Sequence, residues 1–146
     1  MAHECLLYHT TSLTMTGLKI SVLAPPKAQR MADIAVRELG ARSHSVTVYA
    51  SREAFAGDVA GRAATELILA MPAIRVDPAD IEGATRLRAL VSLVIGTDHF
   101  DIEDATRRGL IVAHAHAEEN YVSMAEATVM LMLAALYDFN AAQAMM

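Results

Sequence analysis

Between Leu18 and Ala113 short apolar runs alternate with stretches whose apolar residues recur every three or four positions. LKISVLA, residues 18 to 24, has the β-rich character of a strand and is stopped by Pro25-Pro26, which can donate nothing to a ladder. Met31, Ile34, Ala35 and Leu39 then fall on one helical face, and Gly40 stands where a left-handed cap would sit. SVTVYA, residues 45 to 50, predicts a second strand, and ELILAMP, residues 66 to 72, a third; residues 52 to 62 between them carry no clear period. Asp77-Pro78 is an N-cap followed by proline at the first helical position, opening a short helix to about Ala84.

LRALVSLVIG, residues 87 to 96, is almost wholly apolar in its second half, as expected of a central strand covered on both faces. Asp101 is placed to cap a helix, with Asp104 three residues on in a capping-box-like position and Gly109 at its end. LIVA, residues 110 to 113, is the fifth strand. Short strands separated by helices predict an open parallel α/β sheet built from βαβ units. The last element, from about Glu119 to Ala144, is the longest. It places Val122, Glu126, Val129, Met130, Leu133, Leu136 and Tyr137 on one stripe, with further apolar groups beside it. A helix apolar on more than one side wants covering, so a second chain or a second domain is expected to pack there. Glu126, inside that stripe, is expected to find a partner, because an unpaired buried carboxylate is expensive.

Composition narrows the class. With 54% hydrophobic and 20% charged residues in 146, the chain suits one globular domain with one core. A net charge of -5 with no basic run argues against a nucleic-acid partner, and no apolar run reaches membrane-spanning length. Cys5 is the single cysteine, which excludes an internal disulfide and fits a reducing, cytoplasmic setting. Residues 1 to 17, rich in Ser and Thr, are expected to be a loose extension, residues 18 to 118 the domain, and residues 119 to 146 the long helix.

The stretch IGTDHFDI, Ile95 to Ile102, gathers a glycine, two carboxylates and an imidazole between an apolar run and a helix. Asp98 and His99 could act as an acid–base pair, but as neighbours in a turn they more often satisfy local backbone donors. His114 and His116, two apart on an extended segment, could join His99 around a metal; two histidines on a loop with no fixed third ligand make loop polarity the stronger reading.

The order of a strand, IGTDHFDI, a helix, Arg108-Gly109, the strand LIVA, a loop, and Asn120 ahead of Ala125-Glu126 resembles the D-isomer-specific 2-hydroxyacid dehydrogenases, whose superfamily includes formate dehydrogenases. The likeness runs from about Ile74 to Ala135, while residues 18 to 73 share only the βα rhythm. It implies a flavodoxin-like, doubly wound substrate domain of about five strands, with a long helix leading toward a dinucleotide-binding domain. It also implies that the backbone amides of Ile95 and Gly96 hold the substrate carboxylate, with Asn120 hydrogen-bonding the same molecule. Successive amides at the carboxyl ends of parallel strands can hold an anion without a charged side chain, and a neutral amide donates at any pH. The chain departs from the family at Val94, where many relatives have glycine, and at His116-Ala117, where many have Pro-Gly, and its loop between Ala113 and Asn120 is one residue longer than in the formate-dehydrogenase branch.

No G-x-G-x-x-G occurs in the 146 residues, and the family's Arg, Glu and His that drive the chemistry lie beyond that fingerprint. The expectation is therefore the substrate domain of an NAD- or NADP-dependent 2-hydroxyacid dehydrogenase, as a fragment or natural truncation. Alone it is expected to be inactive, with no catalytic, cofactor or metal residues of its own. Its expected partners are a small carboxylate substrate, the missing dinucleotide-binding domain, and a second copy held through the C-terminal helix. The alternatives are a non-catalytic anion-binding or dimerisation module and, further off, a metal-dependent hydrolase using His99, His114 and His116.

Overall fold

A computed structural model describes residues 17–138 and residue 143. Five parallel strands, β1 (Lys19–Leu23), β2 (Ser45–Tyr49), β3 (Leu67–Ala70), β4 (Ala89–Ser92) and β5 (Ile111–His114), lie in the order β2-β1-β3-β4-β5. This is the flavodoxin-like doubly wound order, with its reversal between β1 and β3. Helix α1 (Gln29–Gly40) joins β1 to β2; α2 (Arg52–Gly57) and α3 (Val59–Ala64) lead to β3; α4 (Pro78–Gly83) leads to β4; α5 (Ile102–Arg107) leads to β5; and α6 (Glu118–Leu136) follows.

Side chains alternate across the sheet, so it has two distinct cores. Ile20, Val22 and Leu69 pack with Ala28 and Ala32 beneath α1. Leu23, Ile68, Ala70 and Leu90 face the other way and meet Phe55 of α2, Ile81 of α4 and Ala105 of α5. The α1 face carries one helix for five strands, and its far end is open: Ile111 is 67% exposed. No described residue of α6 is buried.

Several elements differ from the sequence-based expectation. The run from 52 to 62 is two short helices, broken where Asp58 caps α3 by accepting from the Gly61 N–H at 2.8 Å. Gly40 is the last residue of α1 rather than its left-handed cap; Ser43, at φ 64°, takes that conformation. Gly109 does so as expected, at φ 69°. The strand expected over 87 to 96 pairs only at Ala89–Ser92, and the residues after it leave the ladder. The expected helix end near Ala144 falls partly outside the described residues. Glu126 is exposed and pairs with no described group, because the stripe around it is uncovered and no burial cost arises. Among the described residues no helix is long and apolar enough to cross a membrane.

Candidate anion-binding site

Ser92, fully buried at the end of β4, shapes the turn that follows. Its Oγ accepts from the Val94 N–H at 3.2 Å and donates to the Gly96 carbonyl at 2.6 Å, folding the backbone over its own hydroxyl. Leu93 N–H donates to the Ala70 carbonyl at 3.0 Å, the last ladder bond on that side. Farther along, Phe100 N–H closes onto the Thr97 carbonyl at 2.9 Å, and Val76 N–H donates to the His99 carbonyl at 3.0 Å. Asp101 Oδ1 accepts from the Asp104 N–H at 2.9 Å and starts α5.

Within this frame the N–H groups of Ile95 and Gly96 donate to no acceptor among the described residues. Both residues are half-buried, just beyond the carboxyl end of β4, the edge at which open parallel sheets bind ligands. Two consecutive unpaired amides in such a position can take an anion. A Cβ on Gly96 would meet Asp98 Oδ2 at 3.2 Å, so glycine keeps the space beside its amide clear. Asp98 itself is exposed, and its charge opposes an incoming anion.

His99 points inward rather than forming an exposed pair with Asp98. It is 6% exposed, its ring lies 4.1 Å from that of Phe100 between centroids, and its Nε2 reaches no partner. Burial holds its pKa below the ordinary 6.5, opposed by the Ala70 carbonyl the ring faces and by the charge of Asp98.

Ala115 N–H donates to the Ser92 carbonyl at 3.0 Å, which runs the loop after β5 alongside the turn. His114 and His116 are exposed on it, with ring centroids 6.4 Å apart, and His116 Nδ1 lies 3.4 Å from Tyr121 Oη. His99 is sealed away from them, and among the described residues no three His, Cys, Asp or Glu side chains form a group able to hold a metal. The hydrolase alternative therefore loses its ligand set. Asn120 sits in the first turn of α6, exposed, with its side-chain amide unpaired. Two parts of the site were missed by sequence reasoning: the Ser92 hydroxyl and the Ala70 carbonyl. Ser92 had a signal, a lone hydroxyl inside ALVSLVI; a backbone carbonyl has none.

A doubly wound parallel sheet of this strand order, with two free amides just past β4, defines an α/β domain of the flavodoxin-like class. The family model for the D-isomer specific 2-hydroxyacid dehydrogenase catalytic domain matches residues 24–146, and the chain belongs to that family. Nothing among curated proteins matches it. Similar solved structures include D-lactate dehydrogenase from Aquifex aeolicus, complexed with NAD and lactic acid, at 20% identity and TM-score 0.65 over 79% of this chain and 33% of that one. The TT0316 protein from Thermus thermophilus is 21% identical, with TM-score 0.61 over 79% of this chain and 36% of that one. An NAD+-bound 3-phosphoglycerate dehydrogenase from Entamoeba histolytica is 16% identical, with TM-score 0.56 over 67% and 33%. At these identities the likeness is one of fold, and the chain spans about a third of each relative's length.

Proposed function

We propose that residues 18–118 form the substrate-binding part of a 2-hydroxyacid dehydrogenase, in which the Ile95 and Gly96 amides receive the carboxylate of a small 2-hydroxy or 2-oxo acid. Asn120, at the start of α6, is the side chain proposed to donate to the same ligand. The carrying observation is that these two amides lie outside the ladder and have no internal acceptor. The reaction class is oxidation of a CH–OH group, with NAD or NADP as acceptor in the complete enzyme. The residues present do not fit that coenzyme. The seven glycines, at positions 17, 40, 57, 61, 83, 96 and 109, never stand two apart, so no stretch offers the pyrophosphate-binding fingerprint. This chain's contribution is to bind and orient the acid.

Two further parts belong to this reading: a homodimer formed through α6, and a cytoplasmic setting suited to a chain whose one thiol is Cys5. Titrating the 15N-labelled chain with sodium pyruvate tests the site. Ile95 and Gly96 amide resonances should move in the millimolar range, while sodium chloride at matched ionic strength leaves them in place. Amides indifferent to pyruvate would remove the proposal.

A further inference from the structure

We infer that Ser92 is a positioning residue for the carboxylate site: its hydroxyl pins the turn on both sides of the Ile95 and Gly96 amides, so that the pair is aimed before any ligand arrives. The inference rests on reading this turn as the carboxylate site. Its basis is a pair of hydrogen bonds made by one atom. Ser92 Oγ accepts from the Val94 N–H at 3.2 Å and donates to the Gly96 carbonyl at 2.6 Å. The first bond fixes the peptide between Leu93 and Val94, the second the peptide between Gly96 and Thr97. The two peptides between them carry the N–H groups of Ile95 and Gly96, which have no acceptor among the described residues. One hydroxyl therefore clamps both ends of the segment that faces the ligand.

The core gains nothing from this hydroxyl. Ser92 is 0% exposed and falls two residues after Leu90, on the sheet face that Leu23, Ile68 and Ala70 also line. A hydroxyl among apolar side chains is a cost unless it is bonded, and here its proton and a lone pair both go to the turn. Without it the Val94 N–H and the Gly96 carbonyl lose their partner. The peptides between them can then rotate about a glycine, whose missing Cβ opens conformations closed to other residues. An amide that must first be turned toward the anion binds it more weakly, because that ordering then opposes binding. The backbone of Ser92 serves the opposite wall: its carbonyl accepts from the Ala115 N–H at 3.0 Å, ahead of α6 and Asn120. A side-chain substitution leaves that second bond available, so the two walls can be perturbed separately.

The test is the pyruvate titration of the 15N-labelled wild-type chain, Ser92→Ala and Ser92→Thr, with 15N relaxation order parameters measured before pyruvate is added. In the wild type the Ile95 and Gly96 amides should be as ordered as those of β4 without ligand. Ser92→Ala should unfold cooperatively and keep the Ala115 amide resonance in place, yet bind pyruvate about tenfold more weakly, with the order parameters of Ile95 and Gly96 lowered. Ser92→Thr keeps the hydroxyl and should bind within about threefold of wild type. Wild-type affinity in Ser92→Ala, a loss in Ser92→Ala with both amides as ordered as before, or a folded Ser92→Thr as weak as Ser92→Ala overturns the inference. If the variants fail to fold, the wild-type chain still decides: Ile95 and Gly96 amides that are mobile until pyruvate binds contradict a preset turn. Those outcomes defeat the role of Ser92 and leave the site standing, whereas wild-type amides that never respond to pyruvate defeat the site reading and the inference with it.

Discussion

Asp98 sets a full negative charge beside two amides that carry partial positive ones. Its Oδ2 lies where a Cβ on Gly96 would meet it at 3.2 Å, and the residue is exposed. Two unit charges roughly 4 Å apart in water interact by roughly 1 kcal/mol, about a fivefold change in binding. Asp98→Asn should therefore tighten pyruvate binding by about fivefold in low salt, with the gain shrinking as ionic strength rises. Equal affinity for the two chains in dilute buffer would mean that the carboxylate does not face the ligand. At this scale some positions were legible and others not. Asp101 and Gly109 act as a start and stop signal should, because a cap needs only its neighbours. Gly40 failed as a stop: the chain gains another helical residue and a turn, and His44 N–H closes onto the Leu39 carbonyl at 3.2 Å. Leu18 N–H then donates to His44 Nδ1 at 3.1 Å, a contact 26 residues apart that no local pattern announces.

The elements are joined by buried polar links as much as by apolar packing. Asp80, in the first turn of α4, has a side chain only 2% exposed; it accepts from Arg52 Nε at 2.7 Å and from the Asp77 N–H at 2.9 Å. Arg52, at the start of α2, thereby ties two helices together. Its removal leaves a buried carboxylate short of a partner, a loss of several kcal/mol when fully sealed. Since the Arg52 side chain is 37% exposed, water recovers part of that. Arg52→Ala should cost about 1–3 kcal/mol in urea unfolding, with the slope unchanged; a midpoint equal to wild type would show that the link carries no stability. The Asp77-Pro78 start was legible, whereas the caps Ser51 and Asp58 were not, because the segment between them and β3 shows no helical period. The length of β4 was not. An apolar run reads as strand until a hydroxyl inside it captures its own backbone, and Ser92 does this at Val94 and Gly96.

For the molecule as a whole the largest fact is unfinished cover. Along α6, Met130 is 63% exposed, Leu133 49% and Leu136 75%, and a groove of about 840 Å³ runs beside Val129, Met130 and Leu133. Exposed apolar surface of this extent marks a contact site. In the proposed homodimer a second α6 fills it. Sedimentation over a range of concentrations should show self-association of the wild-type chain, and Leu133→Glu should sediment as a monomer while its unfolding stays cooperative, because α6 contributes nothing to the two cores. A wild-type chain that stays monomeric throughout removes the homodimer.

What the sequence determined by itself was the alternation of strands and helices, the class of sheet they build, and the caps at Asp77, Asp101 and Gly109. Each is written in hydrophobic period or local turn chemistry, and such signals survive in one dimension. The tertiary structure alone decided the strand order, the single helix on one face of the sheet, the inward turn of His99, and the bond from the Leu93 N–H to the Ala70 carbonyl. Those depend on which distant backbone groups meet, and a carbonyl that any residue could supply leaves no mark on the sequence that places it.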